Sequence, residues 1–225
     1  MEQQPFDAVR QALLEQGVLM MDPSAVWVEP TVQVGKGTLL LPGTILRGNT
    51  VIGEGCQIGP NTMLTDCTVG DRTTVNASQG TGSIIGEDTT VGPFAYIRPG
   101  CTIGSHCRVG DFVELKNSVI GNGTKISHLT YVGDSDVGER VNFGCGTVTV
   151  NYDGNHKYRT TIGDDVFLGC NTNLIAPVTV EDGAYTAAGS TITEDVPADS
   201  LAIARARQTV KPDWAKQHRA KKDAH

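Results

Sequence analysis

Aliphatic side chains recur every sixth residue along the first third of the chain: Val28, Val34, Leu40, Leu46, Ile52, Ile58 and Leu64 share one register. Glycine often follows the aliphatic position, as at Gly35, Gly53 and Gly59, and a small residue sits four places after it, at Thr38, Thr44, Thr50, Cys56 and Thr62. The register slips by one residue to Val69 and Val75. After Ser78-Gln79-Gly80 it resumes at Ile85, Val91, Ile97, Ile103, Val109 and Leu115. Further slips give Ile120, Ile126 and Val132, then Val137, Phe143 and Thr149; a last series runs from Ile162 through Leu168, Leu174, Val180 and Thr186 to Ile192. A repeat sustained over residues 24–195 predicts a solenoid rather than a single globular core.

Six residues supply one short extended segment and one corner, and three such units close a triangular coil. Each coil hydrogen-bonds to the next at the strand spacing of about 4.8 Å, with aliphatic residues stacked inward. The fold class expected is all-β, a parallel β-helix, preceded by a helix and linker at 1–23 and followed by a C-terminal segment and basic tail at 196–225. In residues 6–17, Phe6, Val9, Leu13 and Leu14 fall near helical spacing with Gly17 as the C-terminal cap. The helix and the segment after Ile192 are placed to cover the open ends of the solenoid.

Composition fits this reading. Of the 225 residues, 27 are glycine and only 5% are aromatic, so small and β-branched side chains must fill the interior. A net charge of -7 argues against a surface built for nucleic acid, and the basic run Lys211 to Lys222 reads as a solvated tail. No apolar run is long enough for a membrane span and no signal peptide opens the chain, so the cytoplasm is the expected location. The six cysteines, Cys56, Cys67, Cys101, Cys107, Cys145 and Cys170, are scattered and read as reduced thiols, with Cys56, Cys101 and Cys107 fitting the small inward position as well as threonine does. With no C-x-x-C and with His106, His128 and His156 dispersed, no metal is expected.

Between Thr149 and Ile162 the chain cannot fit a six-residue side, so residues 150–161 must leave the coil as an external loop. Asn151-Tyr152-Asp153-Gly154 has the chemistry of a surface turn. Loops held on rigid scaffolds also often carry function. Glu114, Lys116, His128, Tyr131, Asn142 and Lys157 concentrate ionisable and polar groups around this break in the repeat.

His128-Leu-Thr-Tyr-Val-Gly-Asp134, Asn142-Phe-Gly-Cys-Gly-Thr147 and Asn151-Tyr-Asp-Gly154 carry a more specific signal, joined by Arg98-Pro-Gly100, Phe112-Val-Glu-Leu-Lys116 and Ala204-Arg-Ala-Arg-Gln208. From about Val9 to Trp214 the chain resembles the acetyltransferase half of the bifunctional N-acetylglucosamine-1-phosphate uridylyltransferases/glucosamine-1-phosphate acetyltransferases. The resemblance implies left-handed coiling, a homotrimer with clefts between subunits, and transfer of acetyl from acetyl-CoA to the amine of glucosamine 1-phosphate by direct attack. His128 matches the general base and Glu114 the carboxylate that orients it. Arg98, Lys116, Tyr131, Asn142 and Lys157 match contacts to the sugar phosphate. Asn151 and Tyr152 match residues beside the reacting amine and thioester, and Cys145, Cys170, Ala188 and Arg205 match positions lining the coenzyme.

Two of these positions depart from the family pattern. Cys170 stands where serine is usual for stabilising the thioester oxyanion, and a thiol donates a weaker hydrogen bond than a hydroxyl. Cys145 replaces a common alanine. The sequence places no histidine beside either thiol, and direct amine attack needs no acyl-enzyme. The nucleotidyltransferase motif of the bifunctional family is not found ahead of this region, so uridylyl transfer and its magnesium are not expected. Acetylation of another amino sugar, or a non-catalytic trimeric β-helix partner, are the alternatives.

Overall fold

The computed structural model describes residues 4–222; residues 1–3 and 223–225, the extremities of the expected N-terminal segment and basic tail, lie outside the described residues. The chain winds as a left-handed parallel β-helix whose three faces are sheets of 11, 10 and 9 strands, in which strands pair with those three later in sequence except at the last pairing, Tyr185–Thr186 with Leu201–Ala202. Leu39–Leu40 lies on Gln57–Ile58, and Ile45–Arg47 on Met63–Thr65, in exact sequence register. That pairing stacks Leu40 on Ile58 and Leu46 on Leu64, and all four are excluded from solvent. The six-residue period is therefore the side of a triangle, as expected.

Corner threonines tie the coils together. Thr38, Thr44, Thr62, Thr124 and Thr147 are fully buried. The Thr38 hydroxyl donates to the Gly53 carbonyl at 2.7 Å and accepts from the Cys56 amide at 3.0 Å. Cysteine fills the same slots: the Cys56 thiol reaches the Gly70 carbonyl at 3.1 Å and the Cys107 thiol the Gly121 carbonyl at 3.1 Å. Burial raises the pKa of the Cys56, Cys67, Cys101 and Cys107 thiols, which keeps them protonated and unreactive.

Two boundaries and one internal stretch differ from the sequence reading. Strand pairing begins at Leu19–Met20 and ends at Leu201–Ala202, outside 24–195, because Val18 and Val196 prolong the buried ladder at the two ends. The stretch Ser78-Gln79-Gly80 is no interruption: Gly80 itself holds the inward position, between Leu64 and Ile97. A side chain there would begin 2.9 Å from Leu64 Cδ2 and 3.4 Å from Cys67 Sγ. Gly80→Leu is accordingly expected to destabilise the coil by about 1–3 kcal/mol through overpacking, measured as a lower denaturation midpoint.

Helix α1 (Gln4–Glu15) lies against the first coil. Leu13 is buried, Val9 packs on the core, and the Phe6 ring rests on Trp27 at 3.9 Å, whereas Leu14 faces solvent. Gly17, at φ +90°, lets the chain turn so that the Val18 amide reaches back to the Leu13 carbonyl at 3.0 Å. Helix α2 (Trp214–Lys222) follows a stretch, 204–213, that is exposed throughout.

Candidate functional site

One corner of the triangle, between the 11-stranded and 10-stranded sheets, collects residues that are 17 to 25 positions apart. Asp111 pairs in register with His128. The pairings Ile126 with Phe143, Phe143 with Leu168 and Leu168 with Thr186 extend the same column to Cys145, Cys170 and Ala188. After each of these comes a residue in the left-handed region: Phe112, Leu129, Gly146, Asn171 and Gly189 have φ of 55°, 44°, 77°, 55° and 73°. The five corners thus share one backbone shape. Arg205 belongs to the top of this ridge, where its Cδ approaches the space beside Gly189.

His128 stands out from the corner, and its Nδ1 lies 2.9 Å from Asp111 Oδ1. The hydrogen bond with His128 holds the Asp111 carboxyl below its ordinary pKa, so the carboxylate accepts and Nδ1 must donate. A neutral ring then presents the unprotonated Nε2 to the outside. Glu114, expected to orient His128, does something else: its carboxylate binds Arg98 Nη1 at 2.9 Å and its register partner is Tyr131. The reason is geometric. Glu114 follows the corner and points out of the 10-stranded sheet, while Asp111 occupies the same corner position as His128 one coil earlier.

That 10-stranded sheet carries the second group. Lys116 Nζ reaches Asp134 Oδ2 at 3.2 Å, Asn117 Nδ2 reaches Asp134 Oδ1 at 2.6 Å, and Asn151 Nδ2 donates to the same carboxylate. Burial alone would push the Asp134 carboxyl up, but its three donors outweigh this and hold it below its ordinary pKa. The neighbouring Lys116 ammonium, with Arg98 adding repulsion, pushes Lys157 below the usual lysine pKa. Among the described residues no carboxylate forms an ion pair with Lys157, so the cluster is short of negative charge on its open side. Tyr131 lies across Gly133: a side chain on that glycine would begin 2.3 Å from the phenol oxygen. The phenol in turn is 3.5 Å from Asn151 Nδ2.

The break in the repeat is a short excursion, since Val148–Val150 and Thr160–Ile162 are both paired strands. Tyr152 and Lys157 form an antiparallel bridge across it, and Asp153 Oδ1 accepts from the amides of Asn155 and His156 at 2.7 and 2.6 Å. Tyr152 is exposed, with its hydroxyl on the Gly154 carbonyl at 2.6 Å. At the root of the loop Arg159 grips Asp136 and donates to the Ser135 and Asn117 carbonyls at 3.0 and 3.2 Å. Asn142 is not with the other expected phosphate ligands. It projects from the 11-stranded sheet between Lys125 and Phe167, round the corner from Lys116.

The bacterial transferase hexapeptide family, defined by six repeats, matches residues 31–66, 82–117 and 159–194. The bifunctional protein GlmU of Clostridium acetobutylicum is 56% identical over 201 residues, 89% of this chain and 44% of the relative. Its counterpart in Halalkalibacterium halodurans is 53% identical over 206 residues, 92% of this chain and 45% of the relative. The chain is a hexapeptide-repeat protein. This hexapeptide-repeat protein spans a little under half the length of the curated relatives it matches. Among solved structures, an Arabidopsis UDP-N-acetylglucosamine acyltransferase aligns at a TM-score of 0.49 and 15% identity, covering 83% of this chain and 69% of that one.

Four residues that shape the site of this hexapeptide-repeat protein had no role assigned from sequence: Asp111, Gly133, Asp134 and Arg159. Asp134 and Gly133 stand inside the motif His128 to Asp134, where an acid directly after a glycine was the available signal. Asp111 and Arg159 gave none, because their partners are set by coil register.

Proposed function

We propose that this chain acetylates the amine of glucosamine 1-phosphate, with acetyl-CoA as the acetyl donor. The observation that carries the reading is the set of three cations, Arg98, Lys116 and Lys157, converging on the open side of Asn151 and Tyr131 beside a corner that bears the His128–Asp111 pair. Two ammonium groups held close together gain most from a dianion, and the guanidinium adds a planar fork for phosphate oxygens. The Glu114 carboxylate fixes that fork at 2.9 Å.

In the proposed reaction acetyl-CoA supplies the acetyl group as a thioester. His128 Nε2 takes the proton that the sugar amine loses as it attacks. Asn151, anchored by Asp134, borders the cation cluster, and Asp111 fixes which ring nitrogen is basic. The column Cys145, Cys170 and Ala188 leaves only short side chains along the corner, which suits a narrow coenzyme arm, and Arg205 at its top suits a coenzyme phosphate. Asn142 projects from a different face than the cations of its own chain, an arrangement that supports a trimer in which one copy completes the cleft of the next.

The decisive assay measures thiol release from acetyl-CoA with glucosamine 1-phosphate, glucosamine and UDP-linked amino sugars. The cations predict turnover with the phosphate and loss of it with glucosamine; equal rates with both would sink the assignment of the substrate. Asp111 is a positioning residue in this scheme. Asp111→Ala is expected to lower kcat about tenfold by misplacing the ring, with KM little changed, and Asp111→Asn to recover part of the loss because its carbonyl still accepts from Nδ1–H. A rise in KM with kcat intact would remove Asp111 from that role.

A further inference from the structure

Of the six cysteines, four are buried in the ladder; Cys145 is half-buried and Cys170 exposed. These two are not independent. Phe143 pairs with Leu168, and the Asn171 amide donates to the Cys145 carbonyl at 2.8 Å, so Cys145 and Cys170 hold the same place on consecutive coils. Each is followed by a left-handed residue, Gly146 at 77° and Asn171 at 55°, so the two corners have one shape and their Cα–Cβ bonds run side by side. In-register neighbours on adjacent coils are about 4.8 Å apart, inside the Cα separations of about 4.4–6.8 Å that a disulfide spans.

We propose that Cys145 and Cys170 form a reversible dithiol–disulfide site, oxidised by a peroxide, that bridges two coils and closes the thioester side of the corner. The exposed Cys170 thiolate attacks a peroxide oxygen, which breaks the O–O bond, gives a sulfenic acid and releases water when hydrogen peroxide is the oxidant. The Cys145 thiolate then attacks the Cys170 sulfur and expels the oxygen as a second water. Two thiol hydrogens and one peroxide become one disulfide and two waters. Side-by-side Cβ atoms start about 1 Å farther apart than a relaxed disulfide prefers, so the bond is strained and easily reduced. Gly144, Gly146 and Gly169 flank the two residues and give the backbone latitude to close that gap.

The blocking effect rests on the acetyl-transfer reading; the covalent change does not. With the sulfurs tied to each other, neither thiol can face a substrate, and the bridge lies one register step from His128.

The test treats the full chain with hydrogen peroxide, blocks remaining thiols by alkylation and maps peptides without reduction. The expected result is a peptide pair joined through Cys145 and Cys170, with the chain lighter by two hydrogens, and Cys56, Cys67, Cys101 and Cys107 still free thiols. Dithiothreitol should restore both thiols. Cys145→Ser should abolish the joined pair and leave Cys170 as sulfinic acid. Two independently oxidised thiols in the unaltered chain, or a bridge only between copies, would overturn the proposal, and this readout needs no turnover. Acetyl transfer is measured in parallel: loss on oxidation and recovery with dithiothreitol supports closure, and an intramolecular bridge with undiminished transfer refutes it.

Discussion

His128→Ala is expected to lower acetyl transfer by about 10²–10⁴ at saturating substrates, the usual contribution of a positioned general base. Folding should be almost untouched. The His128 side chain is 54% exposed on a corner and its polar partner, Asp111, is 38% exposed, so no core contact is lost with it. Surface substitutions of that kind usually shift stability by no more than about 0.5 kcal/mol. The comparison that matters is kcat for the variant and the parent at equal denaturation midpoints. Equal turnover would remove His128 as the base and leave the corner column without its proton acceptor. A joint fall of kcat and midpoint would instead point to a structural role for the Asp111–His128 pair, which the exposure of both residues argues against.

A second large effect belongs to Asp134, which holds Lys116, Asn117 and Asn151 together. Its side chain is 8% exposed and that of Lys116 is 19% exposed, so the pair is largely removed from water. Asp134→Ala leaves a half-sequestered ammonium without its counter-charge and Asn151 without its anchor. Breaking a buried pair from one side typically costs about 3–5 kcal/mol, and the residual exposure of Lys116 places this case towards the lower end. Lys116→Ala should cost less stability, because Asp134 keeps Asn117 and Asn151 as donors. Both variants should raise KM for the sugar phosphate. The pH dependence has a definite sign. Asp134 has a folded pKa below its ordinary value, so its contribution is present above the unfolded carboxylate pKa and fades as the pH falls through the folded one. The stability gap between parent and Asp134→Ala should therefore narrow in acid; a gap independent of pH would show that packing rather than charge is what the variant loses.

The contrast between Glu114 and Asp111 shows what the sequence could and could not carry. The inward ladder was legible because burial imposes the same chemistry at every sixth position, and even Gly80 obeys the register once its strand is seen. The outward corner column was not, because its members are separated by whole coils whose lengths differ. Asp111 and His128 are 17 residues apart, whereas the excursion before Thr160 stretches the step from Cys145 to Cys170 to 25. A reader counting sixes cannot tell which acid meets the histidine without knowing where each corner falls. The same limit hid the juxtaposition of Cys145 with Cys170 and of His128 with Cys145, since neither pair is close in sequence. Of the residues matched to the sugar phosphate, Arg98, Lys116, Tyr131 and Lys157 lie near one another, whereas Asn142 lies on another face.

The excursion itself alters nothing beneath it. Ser135 still pairs with Thr160 and Val137 with Ile162, although nine residues separate the flanking strands where the preceding coil has only Asp134. The coil is thus insensitive to what is spliced in at that edge, provided Arg159 can still clamp Asp136. On the proposed reading, in which Asn151 and Lys157 meet the acceptor, exchanging this one short cassette would change acceptor preference and leave the stacked aliphatics in place.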